Sequence, residues 1–152
     1  MKYTCEIIID KPLAQVIEKM DSAENMKHWQ RGLQGYSMIS GTPGQDGAKM
    51  DLDYQMGKRR VKMTETIVKN NFPNEFHATY DAKGVHNEQR NYFEELPNGS
   101  TRWRSESLFE FSSFGLKFFS WIMPGAFKKQ SMIYLKDFKA FAEEGISVLD
   151  NE

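Results

Sequence analysis

The spacing of apolar residues changes period several times along the chain, and each change marks an element. Residues 2–9 alternate polar and apolar, with Tyr3, Cys5, Ile7 and Ile9 on one face, which predicts a half-buried strand. Leu13, Val16, Ile17 and Met20 then fall at helical spacing. Asp10 is expected to cap that helix, with Pro12 near its first turn, where a missing N–H costs little. A second short helix is expected after Asp21-Ser22, with Met26 and Trp29 on one side. From Gly32 onward the period is two. Met50, Leu52, Tyr54 and Met56 alternate with Lys49, Asp51, Asp53 and Gln55.

Turn chemistry adds register to this pattern. Gly57-Lys58 is a two-residue hairpin loop, with Gly supplying a positive φ. It places Tyr54 opposite Val61, Asp53 opposite Lys62 and Leu52 opposite Met63, so apolar meets apolar and charge meets opposite charge. Residues 70–74 turn around Pro73, after which Phe76, Ala78 and Tyr80 share a face. A further turn at residues 81–84 leads to the hairpin of Leu96-Pro97-Asn98-Gly99. That turn sets Glu94 against Arg102, Tyr92 against Arg104 and Arg90 against Glu106 on an outer face. Residues 114–144 return to helical spacing, with Phe127, Ser131, Tyr134, Leu135, Phe138, Phe141 and Ala142 on one face. Pro124-Gly125 either starts this long helix or separates it from a short one before it. The expected domain covers residues 1–145, and residues 146–152 are expected to form a loose tail.

Composition narrows the function classes. At 152 residues the chain fits one domain able to bury a core without metals or disulfides. With 20 basic and 21 acidic residues there is no strong overall field to recruit nucleic acid or an anionic membrane. One cysteine, Cys5, excludes an internal disulfide and fits a reducing compartment. The first ten residues lack the apolar run of a signal peptide, and no segment is long and apolar enough to span a bilayer, so a cytoplasmic location is expected. Aromatics reach 13%, and there are nine Met, bulky and adaptable side chains that suit an irregular core or a cavity lining.

The order of elements is a strand, two short helices, six more strands in hairpins and a long C-terminal helix. That order resembles the START-like (SRPBCC) superfamily, which includes the polyketide cyclase/dehydrase and lipid-transport family and the birch-pollen allergen proteins. The residues carrying the likeness are Ile7-Ile8-Ile9-Asp10-Lys11-Pro12-Leu13, Trp29 in the second helix, Gly44 and Gly47 before strand three, and Asn98-Gly99-Ser100-Thr101-Arg102 opening the last strand. The resemblance implies an α+β helix-grip fold. In it a seven-stranded curved antiparallel sheet wraps a long C-terminal helix, with a cavity between them. It implies no particular reaction, because the superfamily hosts carriers, cyclases, co-chaperones and sensors.

The candidate site is the inner face. Asn87, Gln89, Asn91 and Phe93 share it with Trp103, Ser105, Ser107 and Phe109, and Leu52, Tyr54, Met63 and Tyr80 extend it across the sheet. Phe127 and Tyr134 approach it from the long helix. Amides and hydroxyls under a helix need partners, either one another or a hydrated, ligand-holding cavity. They can orient a carbonyl or hydroxyl, but none is a good general base. The expected occupant is an apolar small molecule, such as a lipid, an isoprenoid or a polyketide-like compound. The candidate acid or base is Glu65, set opposite Met50 on the Leu52 and Met63 face, where desolvation would raise its pKa. In an enzyme reading, cyclase, dehydratase or hydrolase in type, Tyr80 or Gln89 would orient a carbonyl beside it. The plainer expectation is that the strand twists and carries Glu65 to solvent. His28, His77 and His86 lack metal spacing, and neither a zinc site nor any cofactor is expected. The aromatic run from Phe118 to Phe127 is open to three readings beyond core: a lid, a homodimer or protein-interaction surface, or a transient membrane contact helped by Lys128 and Lys129.

Overall fold

Every hairpin turn marked in the sequence closes a pair of neighbouring strands. In the computed structural model, residues 1–151 are described; Glu152, the last residue of the expected tail, lies outside them. The elements run β1 (Lys2–Ile9), α1 (Leu13–Met20), α2 (Met26–Trp29), β2 (Leu33–Ser40), β3 (Lys49–Met56), β4 (Arg59–Asn71), β5 (Glu75–Ala82), β6 (Val85–Glu95), β7 (Thr101–Phe111), α3 (Phe114–Ile122) and α4 (Gly125–Glu144). The strands form one curved antiparallel sheet in the order β1-β7-β6-β5-β4-β3-β2. Gly57 turns the β3–β4 hairpin at φ +61°. The pairs Tyr54–Val61, Asp53–Lys62 and Leu52–Met63 form as the turn dictates. The Leu96 turn likewise gives Glu94–Arg102, Tyr92–Arg104 and Arg90–Glu106. Pro124 divides the C-terminal helical stretch into α3 and α4.

The apolar side chains collect in two separate clusters. One lies under α4 and α1: Cys5, Ile9, Val16, Trp29, Phe93, Trp103, Leu135, Phe138 and Phe141. The other is built by Met26, Leu33, Leu52 and Tyr54, with Met50, Met63 and Tyr80 packed against it. Helix α4 packs against β1, α1 and α2, and its backbone makes no comparable approach to β3, β4, β5 or β6. The middle of the concave face therefore lies between two apolar ends.

Two local expectations need correction, and one pair needs detail. Asp10 does not cap α1, because Pro12 holds the N-cap position with no side-chain acceptor. The exposed Leu13 N–H is taken instead by Glu95 Oε1 at 3.1 Å, from the end of β6. Arg90 stands opposite Glu106, as the turn predicts, and makes its ion pair with Glu88, two residues away on the same strand face, at 2.9 Å. The segment after Gly145 is tied down. Val148–Asn151 forms a 3-10 turn, and buried Ser147 meets His28 Nδ1 at 2.9 Å. His28 in turn stacks on Phe141 with ring centroids 5.4 Å apart.

On the convex face, Arg102 pairs with Glu94 at 3.3 Å and with Glu6 at 2.6 Å. Arg102 keeps a carboxylate partner when Glu94 is neutralised, and exposed pairs contribute at most ~1 kcal/mol. Glu94→Gln should thus shift the thermal melt by no more than a few degrees; loss of folding would contradict this register.

Candidate functional site

Cross-strand pairing lays the inner side chains in transverse rows. One row runs Met50–Glu65–Tyr80–Asn87–Phe109 across β3 to β7. The next runs Ala78–Gln89–Ser107–Tyr3, and the one after it Phe76–Asn91–Ser105–Cys5. Phe93 and Trp103 pair in the following row and stack at 5.8 Å, closing one end. Leu52, Met63 and Tyr54 close the other. Polar side chains thus form a band between two apolar walls, a placement that hairpin registers make unavoidable once apolar residues face inward.

The band is partly self-satisfied. Gln89 Nε2 donates to Asn87 Oδ1 at 2.9 Å, and Asn87 Nδ2 donates to the Leu108 carbonyl at 3.2 Å. Trp103 Nε1 donates to Asn91 Oδ1 at 3.0 Å, so Asn91 belongs to a closed contact within the core. Asn87, Asn91, Ser105 and Ser107 are buried, whereas Gln89 and Phe109 are half-buried. Tyr3 and Ser131 also belong here, although the inner-face reading of β6 and β7 passes over them. The Tyr3 hydroxyl donates to the Phe127 carbonyl at 3.2 Å and shares a 2.6 Å hydrogen bond with Ser131 Oγ. Burial pushes the Tyr3 phenol above its ordinary pKa, against the pull of Ser131 and Ser107. The β1–β7 register that brings Tyr3 opposite Ser107 comes from no hairpin.

Glu65 is the principal departure from expectation. It does not twist out to solvent: only 9% of it is exposed, and its cross-strand neighbours are Met50 and Tyr80. The inward face of β4 stays inward here because the β-bulge that swings the strand outward comes later, between Ile67 and Lys69, leaving Val68 exposed. Burial drives the Glu65 carboxyl above the usual carboxylate range, and the hydrogen bond from Tyr80 only partly offsets this. The Tyr80 phenol is pushed well up by burial first, then by the adjoining Glu65. Tyr54, buried and donating its hydroxyl to the Gln30 side-chain oxygen, is raised too, by burial and by the nearby Tyr134 and Glu65. Burial also raises Tyr134. Four titratable groups from β3, β4, β5 and α4 thus gather at one side of the band and resist ionisation.

Phe127 of α4 packs on Phe109 at 5.1 Å and Phe111 at 5.3 Å, covering the β7 end of the rows. The thiol of Cys5 is buried beneath α4, and its pKa is raised by that burial. His77 and His86 lie on the convex side, against Glu75 and Asp81. Among the described residues no group of three His, Cys, Asp or Glu side chains is gathered as a metal site. No described helix is long and apolar enough to cross a membrane. A separate surface depression of about 440 Å³ lies on the convex face, bordered by Lys2, Thr4, Glu88, Arg90 and Glu106. Tyr3, Ser107 and Leu108 also border it, but its charged side chains belong to the outer face.

Comparison with solved structures settles the architecture. The chain superposes on the Zhui aromatase/cyclase from Streptomyces sp. R1128 with a TM-score of 0.78 at 10% identity, covering 93% of each chain. It is similarly matched to Ara h 8.0201, with a TM-score of 0.72 at 10% identity over 93% of this chain and 97% of that one. The chain has the helix-grip fold. A third helix-grip protein, a conserved protein from Geobacillus kaustophilus, matches with a TM-score of 0.75 at 11% identity over 93% and 95% of the two chains. No family model matches the sequence, and no curated protein is significantly similar to it.

Proposed function

We propose that this protein binds an apolar small molecule carrying one or two polar groups, between the concave sheet and α4, in a reducing cytoplasmic compartment. The observation that carries the reading is the band of Glu65, Tyr80, Asn87 and Gln89 between two apolar clusters, beneath a helix that packs chiefly on β1, α1 and α2. Apolar walls with a few convergent polar groups are the usual form of a small-molecule site. Gln89 is half-buried, so its free amide oxygen can be met by a ligand hydroxyl. The solved structures it resembles include an aromatase/cyclase, which fits a ligand of extended, ring-forming type.

The test uses a naphthalene-sulfonate dye displaced by decanol, an apolar chain with one hydroxyl. Gln89→Leu should weaken decanol about tenfold, the equivalent of one hydrogen bond, and lower the ligand-free melt slightly, because the buried Asn87 Oδ1 loses the amide that donates to it. Asn91→Leu should behave differently. It strands the Trp103 indole N–H, so it should lower stability by about 1–3 kcal/mol with no ligand present. Failure of the parent to take up the dye, or equal decanol affinity in Gln89→Leu, would sink the binding reading.

A second reading is favoured by Glu65 itself. A buried carboxyl whose pKa is raised, set beside Tyr80, can donate a proton to a carbonyl or a departing hydroxyl. Turnover of an aromatic-ring-forming substrate that disappears in Glu65→Gln while dye binding persists would move the protein into the enzyme class.

A further inference from the structure

Helix α3 carries its apolar stripe on the wrong side for a core helix. Leu116 approaches the Gly84 turn, where a Cβ on Gly84 would meet the Ser113 Cβ at 2.9 Å, and Phe119 packs edge-on against Phe127 at 5.9 Å. These contacts hold the inward side. The outward side presents Phe114, Phe118, Trp121 and Ile122, spaced i, i+4, i+7 and i+8. Phe114 is 83% exposed and Trp121 76%. Met123, following the helix, is exposed as well. Large apolar side chains clustered in this way on a soluble fold mark a contact surface.

Charge points to the occupant. Between Phe111 and Lys136 the sequence holds Lys117, Lys128, Lys129 and Lys136 and no acidic residue, although the chain as a whole carries net charge -1. Lys117 lies beside the stripe, and Lys128 and Lys129 are exposed in the first turn of α4. An apolar aromatic stripe edged by lysines without carboxylates is complementary to an anionic bilayer surface: the rings enter the headgroup boundary and the ammonium groups meet lipid phosphates. A second copy of the chain would bring like charge against like.

We infer that α3 and the first turn of α4 form a docking surface for anionic membranes. The protein lies on the bilayer through this stripe and does not span it. One side chain offers a built-in reporter. Of the three tryptophans, Trp29 and Trp103 are 8% and 5% exposed, so only the emission of Trp121 can move when the stripe enters lipid.

The experiment mixes the protein with vesicles of equimolar phosphatidylcholine and phosphatidylserine, and with vesicles of phosphatidylcholine alone. Co-sedimentation with the mixed vesicles and a blue shift of tryptophan emission are expected, both weaker on pure phosphatidylcholine and at high salt. Phe114→Ser with Phe118→Ser should weaken partition at least ~tenfold while leaving the melt unchanged, since both side chains are solvated in the free protein. Trp121→Phe should abolish the emission shift and keep sedimentation. Lys128→Glu with Lys129→Glu should reduce partition on the mixed vesicles. A protein that stays in solution with mixed vesicles, or binds them equally well without the two phenylalanines, overturns the proposal. So does a concentration-dependent dimer that buries Trp121 in the absence of lipid.

Discussion

Trp29→Ala should lower stability by about 3–5 kcal/mol, the range for removing a large aromatic from a packed core. Trp29 is the only residue of α2 in the larger apolar cluster, and it joins three parts of the chain. Its ring meets Trp103 of β7 edge-on at 6.3 Å and Phe138 of α4 at 5.1 Å, and Phe138 itself meets Trp103 at 5.4 Å. Removing the indole opens a void bounded by two other aromatics and by a helix of only four residues, which has little of its own to hold it in place. Trp29→Phe should be far milder. The Trp29 Nε1 is buried and has no partner among the described residues, so losing that N–H removes an unsatisfied donor along with some ring area. Chemical denaturation of both variants checks the contrast. Equal losses would mean that the ring is not what binds α2 to the core.

The second large effect is on the pH dependence of stability. Because Glu65 has a higher pKa folded than unfolded, the folded chain holds a proton that the unfolded chain has already released. Its favourable contribution is complete below the ordinary carboxylate value and is lost as pH rises through the folded value. Within that window stability falls by about 1.4 kcal/mol per pH unit from this group alone. Glu65→Gln replaces the carboxyl with an amide of nearly the same shape that cannot ionise, so this slope should vanish. The variant and parent should melt alike in mild acid, and the variant should melt higher near neutrality. A parent whose melting point is flat between mild acid and neutral pH would show that Glu65 is open to solvent. The same measurement bears on catalysis, since only a carboxyl held protonated near neutrality can serve as an acid there.

Most of the fold could be read from short-range pattern. Each β-hairpin is specified by a turn and an alternation within a dozen residues of it, so Leu52–Met63 and Glu94–Arg102 follow from local chemistry. What escaped reading depends on residues far apart. The cap of α1 comes from Glu95, a partner that helix-start rules cannot supply because they look only along the chain. The Tyr3–Ser131 hydrogen bond joins β1 to α4, and nothing in either segment alone announces it. The burial of Glu65 turned on where β4 bends. Alternation gives the face of a side chain but not the position of a bulge, and the bulge decides between solvent and interior. For the inner band, alternation gives which side chains face inward but does not distinguish Asn91, locked to Trp103, from the half-buried Gln89.

The pairing of β1 with β7 has a consequence for how the chain reaches this state. During synthesis β1 emerges first, yet its sheet partner, Thr101–Phe111, and the helix that covers it, Gly125–Glu144, come last. The middle hairpins can zip locally as they appear, but the larger apolar cluster draws on β1, α1, α2, β7 and α4 together. Its completion is a non-local closure whose entropic cost falls late, which slows the final step and leaves Ile7, Ile9 and Val16 without their partners for most of translation. Chains truncated before α4 should accordingly be clients for chaperones, however complete their hairpins.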